Sequence, residues 1–219
     1  MQKLLILLSL LVMSCAHLAA NPQQIRSKSE SIVLITGKTD KFAYAGTGFS
    51  IKEDGQGSDI LTNSHMCQPN AVLSVEDSNH NQYRAKFIRR AEVDDLCLIR
   101  VDAIIPALKL AEKDAKFGDA ITVIGYGKGI GPQIQSGYAE KYQVIAMEEG
   151  DQIIVTRAQM VSVAIYGGNS GSPVLDKDGI VIGIIFCGRG DAEHINYMEP
   201  VEIIHNFLDR KSEVMVPQF

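Results

Sequence analysis

The chain has 219 residues, 46% hydrophobic and 21% charged, with 19 glycines, no tryptophan and a formal net charge of −5. This is the composition of a globular protein, and it excludes disordered, collagen-like and coiled-coil classes. The acidic balance argues against nucleic acid as a partner, because that needs a clustered basic surface.

Met1–Ala20 reads as a targeting segment: Lys3 precedes the apolar run Leu4–Met13, and small residues follow, the order of a secretory signal. The run is too short to span a bilayer, and no later stretch reaches that length, so no integral membrane span is expected. Two processing routes stay open. Leu18-Ala19-Ala20 suits ordinary signal cleavage and a soluble periplasmic or secreted product, which we favour. Val12-Met13-Ser14-Cys15 resembles a bacterial lipobox, which would make Cys15 a lipid anchor and the product a membrane-attached lipoprotein. Cleavage after Ala20 leaves Cys67, Cys97 and Cys187, so at least one cysteine stays free or pairs between chains.

Beyond residue 20, short β-type runs alternate with turn residues, the pattern of a sandwich or barrel. The first set of strands is predicted at Ser31–Gly37, Gly46–Lys52, Asp59–Asn63, Ala71–Glu76, Gln82–Arg89 and Leu96–Val101. After a connector near Ile105–Gly118, the second set is predicted at Ala120–Gly125, Ile134–Ala146, Gln152–Thr156, Ser172–Asp176, Ile180–Cys187 and Ile195–Met198. Turn signals punctuate them at Glu53–Gly57, Ser78–Asn81, Glu148–Asp151 and Asp176–Gly179. The one helix is predicted at Pro200–Arg210, where Val201, Ile204, Phe207 and Leu208 recur at helical spacing. The fold class is therefore all-β: two six-stranded antiparallel barrels, over residues 21–111 and 112–219, with a short C-terminal helix.

The most informative stretch is Gly167-Gly168-Asn169-Ser170-Gly171-Ser172-Pro173-Val174. A glycine-rich turn can present a serine while neighbouring N–H groups converge on one spot, which is what acyl transfer needs. The bland alternative is a glycine-rich hairpin without chemistry. G-x-S-x-G is absent because Ser172 stands at its last position, and no helix follows, which argues against an α/β-hydrolase. A nucleophilic serine needs a base, and the base an orienting acid. Ile60-Leu61-Thr62-Asn63-Ser64-His65 places a histidine at a strand end, and Asp94-Asp95-Leu96-Cys97-Leu98-Ile99 places acids just before another strand. Each is weak alone, but the chain order His65, Asp95, Ser170 is that of chymotrypsin and of neither subtilisin nor the α/β-hydrolases.

With these blocks the sequence resembles the chymotrypsin-fold serine endopeptidases, in particular the bacterial Deg/HtrA type. Gly46-Thr47-Gly48-Phe49-Ser50-Ile51 and Leu61–His65 are similar to the strands that lead to the family's catalytic histidine, and Asp95–Val101 to its aspartate block. Ile124-Gly125-Tyr126-Gly127 with Ser136-Gly137 resembles the opening of the second barrel. Gly168–Val174, Gly179–Ile184 and Ile195–Pro200 resemble the nucleophile block and the closing strand. The resemblance implies Ser170 as nucleophile, His65 as general base, Asp95 as its orienting acid with Asp94 as the fallback, and the N–H groups of Gly168 and Ser170 as the oxyanion hole. It implies protein or peptide substrates, an acyl-enzyme intermediate, and no metal or organic cofactor. Only Lys211–Phe219 follow the predicted helix, so the PDZ module often appended in this family is not expected.

The sequence also departs from the digestive members of the family. Asn169 stands where they carry an activating aspartate, so N-terminal capture by a salt bridge is not expected. Cys67 follows His65 by two residues, and the position matching the family's partner cysteine is Gly46, so that disulfide is expected to be missing. Cys97 then reads as a small buried hydrophobe. Ala164 and Ile165, with Cys187 and Gly188 as a wall, predict an apolar substrate pocket and a preference for small or medium aliphatic side chains. His80, His194 and His205 read as solvated, and Glu148–Asp151 as a hairpin tip. His65, Cys67, Cys97, Cys187 and His194 lack metal-ligand spacing, and Gly125–Gly131 lacks the ending of a phosphate loop. The rival reading from another class is a latent or inactive protease-fold binding protein.

Overall fold

The computed structural model describes residues 22–91, 93–129, 131–149, 152–188 and 196–209, so the signal segment, Cys15 and His194 lie outside it. The chain opens with a short helix, α1 (Pro22–Ser27), that the sequence did not suggest. Seven strands follow: β1 (Ile32–Lys38), β2 (Ala43–Glu53), β3 (Ser58–Thr62), β4 (Val72–Glu76), β5 (Gln82–Arg84), β6 (Lys86–Arg90) and β7 (Cys97–Val101). They form one antiparallel sheet in the order β5-β4-β1-β2-β3-β7-β6. The expected single strand 82–89 is thus two, and the first unit, expected as a six-stranded barrel, is a curled half-barrel of seven strands. Ala85 alone separates β5 and β6, yet they form opposite edges of the sheet, so the sheet has to curl until its edges meet there. The Ala85 N–H donates to the Leu73 carbonyl at 3.0 Å, one step beyond the Arg84–Ser74 pair, so it extends the β4–β5 register to the point where the chain crosses to β6.

The second unit is a closed barrel of β8 (Ala120–Gly125), β9 (Gln133–Glu149), β10 (Gln152–Val161), β11 (Pro173–Leu175), β12 (Val181–Gly188) and β13 (Asn196–Pro200), in the order β10-β13-β12-β11-β8-β9. The helix α2 (Val201–Asp209) follows at once. Pro200, expected as its first residue, instead ends β13 opposite Gly183, and the helix begins one residue later. At the expected acidic hairpin tip, Glu149 pairs with Gln152, and residues 150 and 151 between them lie outside the described chain.

Strand periodicity explains why the apolar runs are nearly continuous. Side chains alternate between two faces, and here both faces are buried. On β1, Val33 and Ile35 enter the core of the first sheet, while Ile32 and Leu34 face the second unit. Ile60 and Leu61 divide in the same way, as do Ile99 and Leu98. Val123, Val161, Val174, Ile185 and Met198 fill the second barrel. A third core, shared between the units, joins Phe49, Leu61, Leu96 and Leu98 to Ile124, Leu175 and Ile184, with Ile204 and Phe207 of α2 sealing it. Each such fully buried side chain contributes about 1.5–3 kcal/mol.

Candidate active site

β3 ends against two cores, and the chain then turns through Asn63 into a single helical turn at Ser64–Met66. Asn63 is buried, and its Nδ2 donates to the Asp95 carbonyl at 2.9 Å. His65 follows, and Asp95 holds it with both carboxylate oxygens. The His65 backbone N–H donates to Oδ1 at 2.9 Å, and the ring Nδ1 lies 2.7 Å from Oδ2. The Asp95 side chain is 5% exposed and that of His65 36%, so a buried acid grips a ring that still reaches solvent. An ionised carboxylate only accepts, so the neutral ring carries its proton on Nδ1 and keeps Nε2 as a base. Of the two adjacent acids, Asp95 is the one on His65; the Asp94 carbonyl caps the turn by accepting the Leu96 N–H at 2.9 Å.

Ser170 sits in the tight turn that enters β11. Asn169 N–H donates to the Tyr166 carbonyl at 3.0 Å, Ser172 N–H to Asn169 at 2.9 Å, and Gly171 N–H to Ile185 of β12 at 2.9 Å. The turn is also tied to the first sheet through Thr47 on β2, a fully buried residue. Thr47 N–H donates to the Ser170 carbonyl at 2.8 Å, and its hydroxyl donates to the Gly168 carbonyl at 2.7 Å while accepting the Tyr126 N–H at 2.9 Å. Gly168 has φ of +100° and Gly171 +83°, a region that L side chains avoid. A Cβ on Gly168 would strike the Tyr126 carbonyl, and one on Gly171 the Thr47 carbonyl. The N–H groups of Gly168 and Ser170 donate to no acceptor among the described residues. One strand serves both turns: a Cβ on Gly46 would meet Met66 Sδ at 2.6 Å and the Ser170 carbonyl oxygen at 3.1 Å. Asn169 is buried against Gly125 and Gly127 at the end of β8.

The residues predicted to line a pocket are placed unevenly. Ala164 and Ile165 are half-buried on the segment entering the serine turn, with Ile165 packed on the core of the second barrel. Cys187 and Gly188 end β12 opposite Tyr197 and Asn196. Beside the turn, Lys128 Nζ lies 4.1 Å from the centroid of the exposed Tyr166 ring. Among the described residues no group of three His, Cys, Asp or Glu side chains lies close enough to hold a metal ion.

Three features escaped the sequence. Cys97 is not a lone buried hydrophobe but is disulfide-bonded to Cys67. The register of β3 on β7 sets Cys97 opposite Thr62, five residues before Cys67, which brings the two together. His205, read as solvated, is half-buried with Nε2 2.7 Å from the Ala111 carbonyl, whereas His80 is exposed and pairs with Glu76 at 2.7 Å. Glu199 on β13 is fully buried, and its Oε1 accepts the Asp95 N–H at 2.8 Å. A carboxylic acid inside the apolar run Tyr197–Val201 was the available signal for it.

Comparison with known proteins agrees with this architecture. The Periplasmic serine endoprotease DegP of Escherichia coli K12 is 28% identical over 185 residues, covering 81% of this chain and 38% of that protein. A Probable periplasmic serine endoprotease DegP-like protein of Pseudomonas fulva is 29% identical over 195 residues, covering 86% of this chain and again 38% of the relative. The chain thus spans well under half the length of either. The active form of the Rv3671c protease of M. tuberculosis superposes with a TM-score of 0.75 at 19% identity, covering 87% of this chain and 86% of that one, a likeness of fold. Residues 46–184 match the trypsin-like peptidase domain, a stretch that runs from β2 through the serine turn to β12, and the chain belongs to that family.

Proposed function

We propose that this protein is an exported serine endopeptidase that cleaves proteins or peptides through Ser170, His65 and Asp95. The observation that carries the reading is the two-point hold of Asp95 on His65, through the backbone N–H at 2.9 Å and Nδ1 at 2.7 Å. It fixes both the tautomer and the direction of the imidazole. Ser170 Oγ attacks the scissile carbonyl while His65 Nε2 takes its proton, and the charge that appears on the imidazole is stabilised by Asp95. The carbonyl oxygen becomes an oxyanion and is met by the unspent N–H groups of Gly168 and Ser170. Collapse expels the amine with the proton from His65 and leaves an acyl-enzyme. Water, deprotonated by His65, then releases the acid and restores Ser170.

The apolar character of Ala164 and Ile165 supports cleavage after small or medium aliphatic side chains, since a buried unpaired Lys or Arg is costly there. A peptide library cut mainly after basic residues would overturn that preference. The Cys67–Cys97 bond and the periplasmic names of the relatives support export. A fluorophosphonate probe tests the central claim. The native protein should be labelled, and Ser170→Ala and His65→Ala should not. A native protein that resists labelling, or label that survives Ser170→Ala, refutes it.

A further inference from the structure

Glu199 breaks the rule that governs the rest of β13. Its neighbours Met198, Pro200 and Val201 are apolar and buried, and Ile184 lies opposite it on β12. The side chain is wholly out of solvent, and Oε2 has no hydrogen-bond partner among the described residues. A buried polar atom left this way is costly, and an aliphatic side chain would fill the site without that cost. Only Oε1 is engaged, and its partner is the backbone N–H of Asp95, at 2.8 Å. The one specific thing this misplaced acid does is therefore to hold the residue that holds His65.

We infer that Glu199 is a positioning residue of the catalytic pair: its Oε1 anchors the Asp95 backbone from the second barrel and so keeps the Asp95 carboxylate aimed at His65. The inference rests on the triad reading given above. The other described hydrogen bonds to Asp95 come from its own side of the molecule: Asn63 Nδ2 on its carbonyl, and the His65 N–H and Nδ1 on its carboxylate. Glu199 adds a directional bond from the opposite unit, across the shared core.

The anchor works as a neutral acid. Burial comes first, and then the negative charges of Asp95 and Asp94, in pushing the Glu199 carboxyl well above its ordinary range. Those two acids, in the turn before β7, are the charged groups that act on it, with His65 beyond Asp95. The residues that face or flank it on β12, β13 and α2, namely Gly183, Ile184, Met198, Pro200 and Val201, carry no charge. In the neutral form Oε1 is a carbonyl oxygen that still accepts the Asp95 N–H. The negative charge stays on Asp95, where the imidazolium of the reaction needs it.

Glu199→Gln and Glu199→Leu in the full chain separate this role from structural support. Glutamine keeps an acceptor oxygen, so kcat should stay within about threefold of wild type. The acid limb of the kcat/KM–pH profile should also stay in place, because no charge has been removed. Leucine removes the acceptor, and kcat should fall about ten- to a hundredfold with KM little changed, as for a group acting on the transition state. The low-field proton resonance of His65 Nδ1–H gives a readout independent of turnover: present in wild type and Glu199→Gln, lost or moved upfield in Glu199→Leu. Wild-type kcat and an unmoved resonance in Glu199→Leu would overturn the inference. So would a Glu199→Gln enzyme as slow as Glu199→Leu, or an acid limb displaced to lower pH in Glu199→Gln, the mark of an ionised Glu199. Hydrolysis surviving Ser170→Ala would sink the triad reading instead, and the His65 resonance would still decide what Glu199 does to Asp95.

Discussion

Reducing the Cys67–Cys97 bond should cost stability while leaving the chemistry of the folded fraction nearly intact. The bridge closes a loop with a sequence separation of 30 residues. Loop-closure entropy for that length is worth about 3.6 kcal/mol at 25 °C, a large share of the 5–15 kcal/mol that holds a typical domain together. Both cysteines are buried, so the thiols would occupy the same space and little packing should change. Each follows a member of the His65–Asp95 pair by two residues, and it is natural to credit the bridge with that pair's geometry. Three hydrogen bonds span the same gap, however: His65 N–H and Nδ1 to the Asp95 carboxylate, and Asn63 Nδ2 to the Asp95 carbonyl. These should hold the pair while the fold persists. Urea unfolding with and without a phosphine reductant measures the first effect, and the midpoint should drop by roughly 1–3 M at m-values usual for a small protein. Active-site titration gives kcat per folded molecule, which should fall less than about threefold, a small change in barrier. A stability loss under about 1 kcal/mol would refute the loop argument. A large loss of kcat in protein still folded would show that the bridge, not the hydrogen bonds, sets the geometry.

Thr47→Val keeps the shape but strands the buried Tyr126 N–H and removes the donor on the Gly168 carbonyl; unfolding should cost about 2–4 kcal/mol less, with kcat reduced more than KM is changed. Thr47→Ser should restore both, and a valine variant indistinguishable from serine would discount the hydroxyl. Gly171→Ala places a Cβ at φ of +83° against the Thr47 carbonyl, and should destabilise by more than about 2 kcal/mol in thermal or urea unfolding. Glu199 has a raised pKa in the fold, so its contribution is fully present below the unfolded glutamate value and is lost as pH rises through the folded one. Relative to Glu199→Gln, wild type should therefore lose stability as pH climbs above about 4.5, by up to about 1.4 kcal/mol per unit. Urea midpoints from pH 4 upward check this, and a difference independent of pH would exclude the neutral buried acid.

Most strands were legible because they are short, apolar runs bounded by turn residues; β8 begins and ends where its sequence alone places it, at Ala120 and Gly125. Local pattern carries that information. Partners were less accessible, because register depends on residues far apart in the chain. Cys97 looked like a small hydrophobe in an apolar run, and only its place opposite Thr62 brings it to Cys67. The split at Ala85 has the same origin: nothing within Gln82–Arg90 says that its two halves pair with opposite edges of one sheet. In the candidate site, His65, Asp95 and Ser170 could be singled out because a serine, a histidine and an aspartate are chemically distinctive types in a recognisable order, and the structure sets two of them, His65 and Asp95, in contact. Thr47 and Glu199 could not be assigned roles so easily. A threonine in a strand is ordinary, and the glutamate signals only by being charged where its neighbours are buried.

Those two residues also explain how the proposed catalytic groups, which come from separate units, can be held in line. His65 and Asp95 lie in turns of the first unit, and Ser170 in a turn of the second. The core between the units is made of aliphatic and aromatic side chains such as Phe49, Leu61, Ile124 and Ile184. Burial of this kind is strong but non-directional, so it presses the units together without fixing their register to the fraction of an ångström that positioning demands. Hydrogen bonds are directional, and the structure places them where register matters. Thr47 reaches from the first sheet to Ser170, Gly168 and Tyr126 in the second unit. Glu199 reaches back from the second barrel to Asp95 in the first. One tie sets the nucleophile turn against the strand beside the His65 turn, and the other sets the acid behind the imidazole. Loosening either should leave an apolar core that still folds and a proposed triad that is present but out of line. On this view loss of kcat at these two positions should exceed what their loss of stability explains, whereas at apolar positions of the shared core the two should fall together.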